Sequence, residues 1–303
     1  MGVANDSVIA MFDNLQDTDS FGLVLFESKA SVKHPLTPWK DTNRSKLAGE
    51  IKKITPTGGT DLAKGYKAGL EMLMETKSEP GREKRMFFFT DMRVSNSDFD
   101  TLSDEFNAAT KAKILTTFIG IGNEFADETI DKISKVKGCC YLSVNTPKEF
   151  SELMKDDFDY INTINVFDLN IAIQDDNLVP TRIYGSPGYE KPEVNILVKM
   201  PSSSPSRQED GKTQGGVVVV QVQRKHKDQA TESILRTTYN TRDEKEYSFE
   251  DVVKIPDGDT EFYQNKCARK SVMLMRYVRF LKTVLAPVSK EDTTTREEWK
   301  EKC

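Results

Sequence analysis

Thr57-Gly58-Gly59-Thr60-Asp61 decides how this sequence is read. The apolar positions that follow, Leu62, Tyr66, Leu70 and Leu73, fall at the spacing of one helix face. The loop's N–H groups and hydroxyls therefore stand at the positive end of a helix, where anionic and oxygen-rich ligands are favoured. Further on, Thr90-Asp91 closes the apolar run Met86-Phe87-Phe88-Phe89. A short continuous apolar run reads as a buried strand, so the Asp91 carboxylate stands at a strand's carboxyl end. A hydroxyl from one loop and a carboxylate from the other are hard oxygen ligands. They suit Mg²⁺, which keeps several waters and an open position.

Working outward, residues 8 to about 160 alternate helical and strand-like segments. Val8, Phe12 and Leu15 have helical spacing, 21–26 is a buried strand, and 31–36 is a short edge strand ended by Pro35 and Pro38. Leu47, Ile51 and Ile54 mark a helix. So do Phe99, Leu102, Phe106 and Ala109, and again Ile130, Ile133 and Val136 before Gly138. Strands are read at 114–121 and 139–144, and Thr146-Pro147-Lys148-Glu149 reads as a capping box opening a helix to about Tyr160. Buried strands alternating with amphipathic helices predict an α/β, Rossmann-like, parallel-rich sheet with helices on both faces. Ligands of such sheets bind beyond the carboxyl ends of the strands, here the loops after Phe26, Phe89 and Ile121.

Near residue 162 the composition shifts to β and turn residues. Strands are expected at 166–173, 194–198 and 217–222, and Pro201 to Gly216 is expected to be a mobile, exposed hairpin loop. The predicted organisation is an α/β domain over 1–161, a β-sandwich over 162–260, an amphipathic helix over 261–286 and a charged tail over 287–303. The helix carries Lys266, Arg269, Lys270, Arg276, Arg279 and Lys282. This charge suits an acidic membrane or partner, but the commoner reading is a solvated face, with Leu274, Tyr277, Val278 and Leu281 packed on the sandwich or the α/β domain.

Composition removes several function classes. Net charge is −5 among 303 residues, so nothing points to nucleic acid. Four cysteines make no disulfide framework, which favours a reducing, cytoplasmic compartment, and adjacent Cys139 and Cys140 read as small buried hydrophobes. His34 and His226 have no metal-ligand spacing, and no apolar run is long enough to be a transmembrane segment. No G-x-G-x-x-G, P-loop or Ser/His or Cys/His pair supports an enzyme on a Rossmann-like sheet.

Asp19-Ser-Phe-Gly-Leu-Val-Leu-Phe26, then Gly58-Gly-Thr-Asp61 opening a helix, then Phe89-Thr-Asp91 at a strand end, resembles a von Willebrand factor A domain over about residues 5–160. The resemblance implies a non-enzymatic protein–protein interaction module. Thr60 would be the second-loop threonine and Asp91 the third-loop aspartate of a metal-ion-dependent adhesion site. The metal's last ligand would be an acidic side chain of a protein partner. The family's first loop, Asp-x-Ser-x-Ser, is nowhere in the sequence. The resemblance therefore implies a chain that begins after the family's central first strand, a gap between 21–26 and 86–89, and an incomplete metal site. Met92-Arg93 stands where the family commonly has glycine, and Arg93 is placed to pair with Asp91 instead of a cation. Without a metal, Thr60 would be a helix N-cap. Tyr184-Gly-Ser-Pro-Gly-Tyr189 and Gly215-Gly-Val-Val-Val-Val220 resemble the β-sandwich that follows the A domain in some intracellular members. Some plant-like members carry a RING finger upstream and act as ubiquitin ligases, but no Cys/His zinc pattern exists here. The alternatives are a fragment of such a ligase-like protein and a structural remnant without ligand.

Overall fold

A computed structural model describes residues 2–56, 58–59, 61–77, 79, 81–90, 101–121, 127–162, 164–175, 177–186, 195–204, 208–209, 212–213, 217–226, 231–255 and 266–285. The first half contains α1 (Gly2–Ala10), a 3-10 turn (Met11–Asn14), β1 (Ser20–Phe26), β2 (Ala30–Pro38), α2 (Arg44–Ile51) and α3 (Leu62–Met74). It continues with β3 (Lys84–Thr90), α4 (Ser103–Lys111), β4 (Ile114–Ile121), α5 (Asp127–Ser134), β5 (Cys139–Val144) and α6 (Pro147–Asn162). Phe99, read as part of α4, lies outside the described residues.

β3, β4 and β5 form a parallel sheet in that order. Central β4 is buried along almost its whole length, because its alternate side chains serve two helical layers. Ile114 and Phe118 pack with Leu62, Tyr66 and Leu70 of α3 and Phe106 of α4. Ile119 points the other way, to Phe150 and Met154 of α6 and to Met11. The Tyr66 hydroxyl reaches Thr116 Oγ1 at 2.9 Å, so the deepest polar atom on this face is satisfied. The capping box is present: Glu149 N–H donates to Thr146 Oγ1 at 3.1 Å, and Glu149 Oε2 accepts from Asn145 N at 2.9 Å.

β1 and β2 form a separate antiparallel hairpin. β2 is longer than expected. It runs through Pro35 to Pro38 because Pro35 and Leu36 together face Gly22 across a register shift, where proline's missing N–H costs no ladder bond. A Cβ at Gly22 would lie 2.5 Å from Met72 Sδ and 3.3 Å from the Leu36 backbone, so a side chain there would displace Met72 and press on β2. The hairpin is held by a cluster of Val8, Phe12, Trp39, Leu47 and Ile51, with Phe21 and Leu23 against it.

β1 and β3 belong to different sheets, and no described strand lies between them. Their faces meet through Phe26 and Phe88, whose rings stack at 4.8 Å. Between the two strands opens a cleft of about 1500 Å³, lined by residues 19–27 on one side and 82–90 on the other. The gap expected between these two strands is thus present as open volume.

The second half contains β6 (Val166–Gln174), β7 (Leu178–Tyr184), β8 (Ile196–Ser203), the short β9 (Gln208–Glu209) and β10 (Lys212–Thr213), β11 (Val219–Arg224), β12 (Thr231–Asn240), β13 (Glu246–Ile255) and α7 (Lys266–Leu285). One antiparallel sheet has the order β13-β12-β6-β8, and β11 pairs with β7 in another. Ile173, Leu178, Leu197 and Val198 form the core they share. The stretch read as an exposed loop from Pro201 to Gly216 is partly sheet. Its first three residues end β8, β9 and β10 pair with each other, and Ser202 Oγ accepts from Gly138 N at 2.7 Å. That contact belongs to the seam with the first half, where Lys137 Nζ also meets Asp168 Oδ2 at 2.6 Å and Leu115, Ile164 and Phe167 cluster. The apolar stripe of α7 departs from expectation too. Leu274 is 60% and Tyr277 59% exposed, so this stripe is not packed on either half.

Candidate metal-site cleft

The Gly58-Gly59 loop is placed by what flanks it. Asp61 is the N-cap of α3, with an extended backbone (φ −108°, ψ 93°), and its carboxylate accepts from Lys64 N at 3.0 Å. The expected cap in the absence of metal is Thr60; the cap is Asp61, the residue directly before Leu62, whose carboxylate reaches the N–H of the third helical residue. Asp61 N–H in turn donates to Glu27 O at 2.7 Å, which ties the loop to the end of β1. Lys64 Nζ bridges Asp61 Oδ2 at 2.7 Å and Ser28 O at 2.9 Å, completing the tie. Gly58 has φ +150°, a conformation side chains rarely adopt, and a Cβ there would approach Glu27 Oε2 to 3.8 Å. These residues were legible only as a loop before a helix. The signal for Lys64 was its i,i+3 position after Asp61.

Lys64's side-chain and backbone hydrogen bonds hold the Asp61 carboxyl below its ordinary value of 3.8. A depressed folded-state pKa contributes stability above the ordinary carboxylate range, lost as pH falls through that range. Asp61→Ala should cost about 1 kcal/mol, the usual loss of an N-cap. Urea unfolding at pH 7 and again near pH 3 checks this, and the difference between the two proteins should shrink at the lower pH.

Thr60 and Asp91, the two metal-site residues read from the sequence, lie outside the described residues, as does Arg93. Their chain neighbours share one place. Gly58, Gly59, Glu27, Ile121 and Thr90, the last residue of β3, all line the cleft between β1 and β3. Among the described residues no three His, Cys, Asp or Glu side chains group as metal ligands. The adjoining Asp61 carboxylate is already engaged by the helix and by Lys64.

Among the described residues the remaining reactive groups do not converge here. Burial pushes the Cys139 thiol far above its ordinary range, which removes the thiolate a nucleophile needs. Arg85 donates to Thr117 Oγ1 at 2.6 Å and to Cys140 Sγ at 3.3 Å, and its burial lowers its pKa. His34 is on β2 and His226 follows β11, on separate parts of the fold. Among the described residues no helix is long and apolar enough to cross a membrane.

A parallel sheet between two helical layers defines an α/β domain of the Rossmann-like class. The chain belongs to the von Willebrand factor type A domain family, whose profile matches residues 4–156. Domains of this family are generally non-enzymatic interaction modules, and some carry a metal-ion-dependent adhesion site. Among solved structures, a von Willebrand factor type A protein from Catenulispora acidiphila is similar with a TM-score of 0.53 and 14% identity over 86% of this chain. The match spans 62% of that protein's length. The ArnB paralog VWA2 from Sulfolobus acidocaldarius is similar at a TM-score of 0.44 and 14% identity, covering 92% of this chain and 68% of that one. Proximal thread matrix protein 1 from the mussel byssus, solved with zinc in its MIDAS motif, is similar at a TM-score of 0.40 and 20% identity, over 50% of this chain and 40% of that one. No curated protein matches the chain by sequence.

Proposed function

We propose that this chain is a non-enzymatic protein–protein interaction module that meets its partner at the cleft end where the Gly58-Gly59 loop and the end of β3 come together. The observation that carries the reading is this convergence, with Gly58, Gly59 and Thr90 on one cleft although 31 residues separate Gly59 from Thr90 in sequence. Thr60 and Asp91 supply the metal-directed oxygens, Mg²⁺ is the cation they suit, and an acidic side chain of the partner completes its shell. Two protein oxygens hold Mg²⁺ weakly, because it gives up its water reluctantly. Separated histidines and a buried, protonated Cys139 support the absence of catalysis.

Thermal unfolding in rising Mg²⁺ or Mn²⁺ tests the reading. A ligand that binds only the folded state stabilises by about 1.4 kcal/mol at tenfold excess over its Kd. The melting temperature should rise at millimolar metal and cease to rise in Asp91→Ala. A melting temperature indifferent to both metals would instead favour a structural domain without ligand.

A further inference from the structure

α7 combines two properties that the interaction reading leaves unused. Its twenty residues include Lys266, Arg269, Lys270, Arg276, Arg279 and Lys282 and no acidic residue, in a chain whose net charge is −5. The helix rests on the body through the side that holds the half-buried Ala268, Ser271, Val272, Met275 and Arg279, and touches β11. The broader apolar side is left in solvent: Met273 is 58%, Leu274 60%, Tyr277 59%, Phe280 48% and Val284 47% exposed. At 3.6 residues per turn, Phe280, Met273, Val284, Tyr277, Leu274 and Val278 fall within about 160° of the helix, an arc that also holds exposed Lys266 and Lys270. Arg269 and Arg276 border one margin of that arc and Lys282 the other.

We infer that α7 is a membrane-surface helix that lays its Met273–Tyr277–Phe280–Val284 side into the interface of an anionic phospholipid bilayer. Charge selects this occupant. A second copy of α7 laid along the first would set six cations against six with no acidic partner on either helix. An anionic lipid surface attracts the five that are exposed, and long Lys and Arg stems beside apolar side chains reach back to headgroups. Aromatic Tyr277 and Phe280 with Leu274 and Met273 supply the apolar area such insertion needs. The helix lies on the membrane and does not cross it, since with six basic residues it is not apolar enough to span.

Vesicle co-sedimentation of the full chain decides this. The probes are vesicles of phosphatidylcholine alone and of phosphatidylcholine with about one third phosphatidylserine, with ultracentrifugation run in parallel. The chain should sediment with the anionic vesicles and not with the neutral ones, and should be released by high salt. Leu274→Glu with Phe280→Glu should abolish binding. Lys270→Glu with Lys282→Glu should weaken it by more than tenfold, because each basic residue near such a surface is worth about fivefold. All four positions are exposed, so the fold should survive, which circular dichroism checks. Absence of binding to anionic vesicles overturns the inference. So does equal binding to neutral vesicles, or a lipid-indifferent dimer that Leu274→Glu with Phe280→Glu dissociates; this last result would assign the face to a second copy. Metal-dependent stability is measured separately, so this inference and the cleft reading fail independently.

Discussion

Trp39→Ala should destabilise the chain by about 3–5 kcal/mol, the range for truncating a large buried aromatic. Trp39 is fully buried. Its ring meets Phe12 edge-on at 4.8 Å and Phe21 at 5.8 Å, and the Arg44 guanidinium lies over it at 5.0 Å. These contacts attach the β1–β2 hairpin to α1 and α2, so their loss acts on one wall of the cleft. Trp39→Phe should cost clearly less. It keeps most of the apolar contact and removes an indole N–H that is buried without a hydrogen-bond partner, which offsets part of the lost volume. Urea unfolding of the three proteins gives both values. A loss below about 1 kcal/mol for Trp39→Ala would mean that the site collapses around the gap and that the hairpin is held by other contacts. Because the chain has two cores, the transition should be followed by a probe in the hairpin as well as by global signal.

The larger functional effect is expected on metal affinity. Fusing a strand that ends in Asp-x-Ser-x-Ser ahead of Met1 should raise Mg²⁺ affinity by about 10–100-fold or more, since losing even an outer-shell partner commonly costs that much. The cleft supplies the physical reason. A strand entering between β1 and β3 would pair with edges that lack a described strand neighbour, and its terminal loop would add carboxylate and hydroxyl oxygens beside Thr60 and Asp91. Mg²⁺ gives up water reluctantly and holds only where enough such oxygens compensate. Asp91→Ala should then abolish the gain. Calorimetry of the parent, the fusion and the fusion with Asp91→Ala separates the outcomes. Tight Mg²⁺ binding by the parent would show that no further loop is needed. Equal binding by the fusion with and without Asp91 would remove Asp91 from the site.

Most of the fold's local content was legible because it is carried by short-range periodicity. Met86 to Phe89 declares a buried strand by being uninterruptedly apolar, and Leu62, Tyr66 and Leu70 declare a helix by recurring every three or four residues. The capping box at Thr146 and Glu149 is chemistry between near neighbours, and it formed as read. The misreadings came where a local signal met a distant one. Residues 31–36 read as a short strand ended by Pro35 and Pro38, yet a register shift opposite Gly22 lets it pass Pro35 and end only at Pro38. The stretch beginning at Pro201 has loop composition, yet Ser202 is fixed by an N–H 64 residues away.

The sequence by itself determined the alternation of strands and helices, the glycine loop before α3, and the strand end at Thr90, because backbone preference and side-chain spacing are settled within a few residues. Only the tertiary structure decided that β1 pairs with β2 and leaves a cleft beside β3, because strand pairing is a hydrogen-bond choice among edges remote in sequence. It also decided that Asp61 is the cap, since capping depends on the backbone angles the loop adopts when tied to Glu27. And it decided which side of α7 faces outward. The body takes the side with Ala268, Val272 and Met275, and leaves Met273, Leu274, Tyr277 and Phe280 exposed.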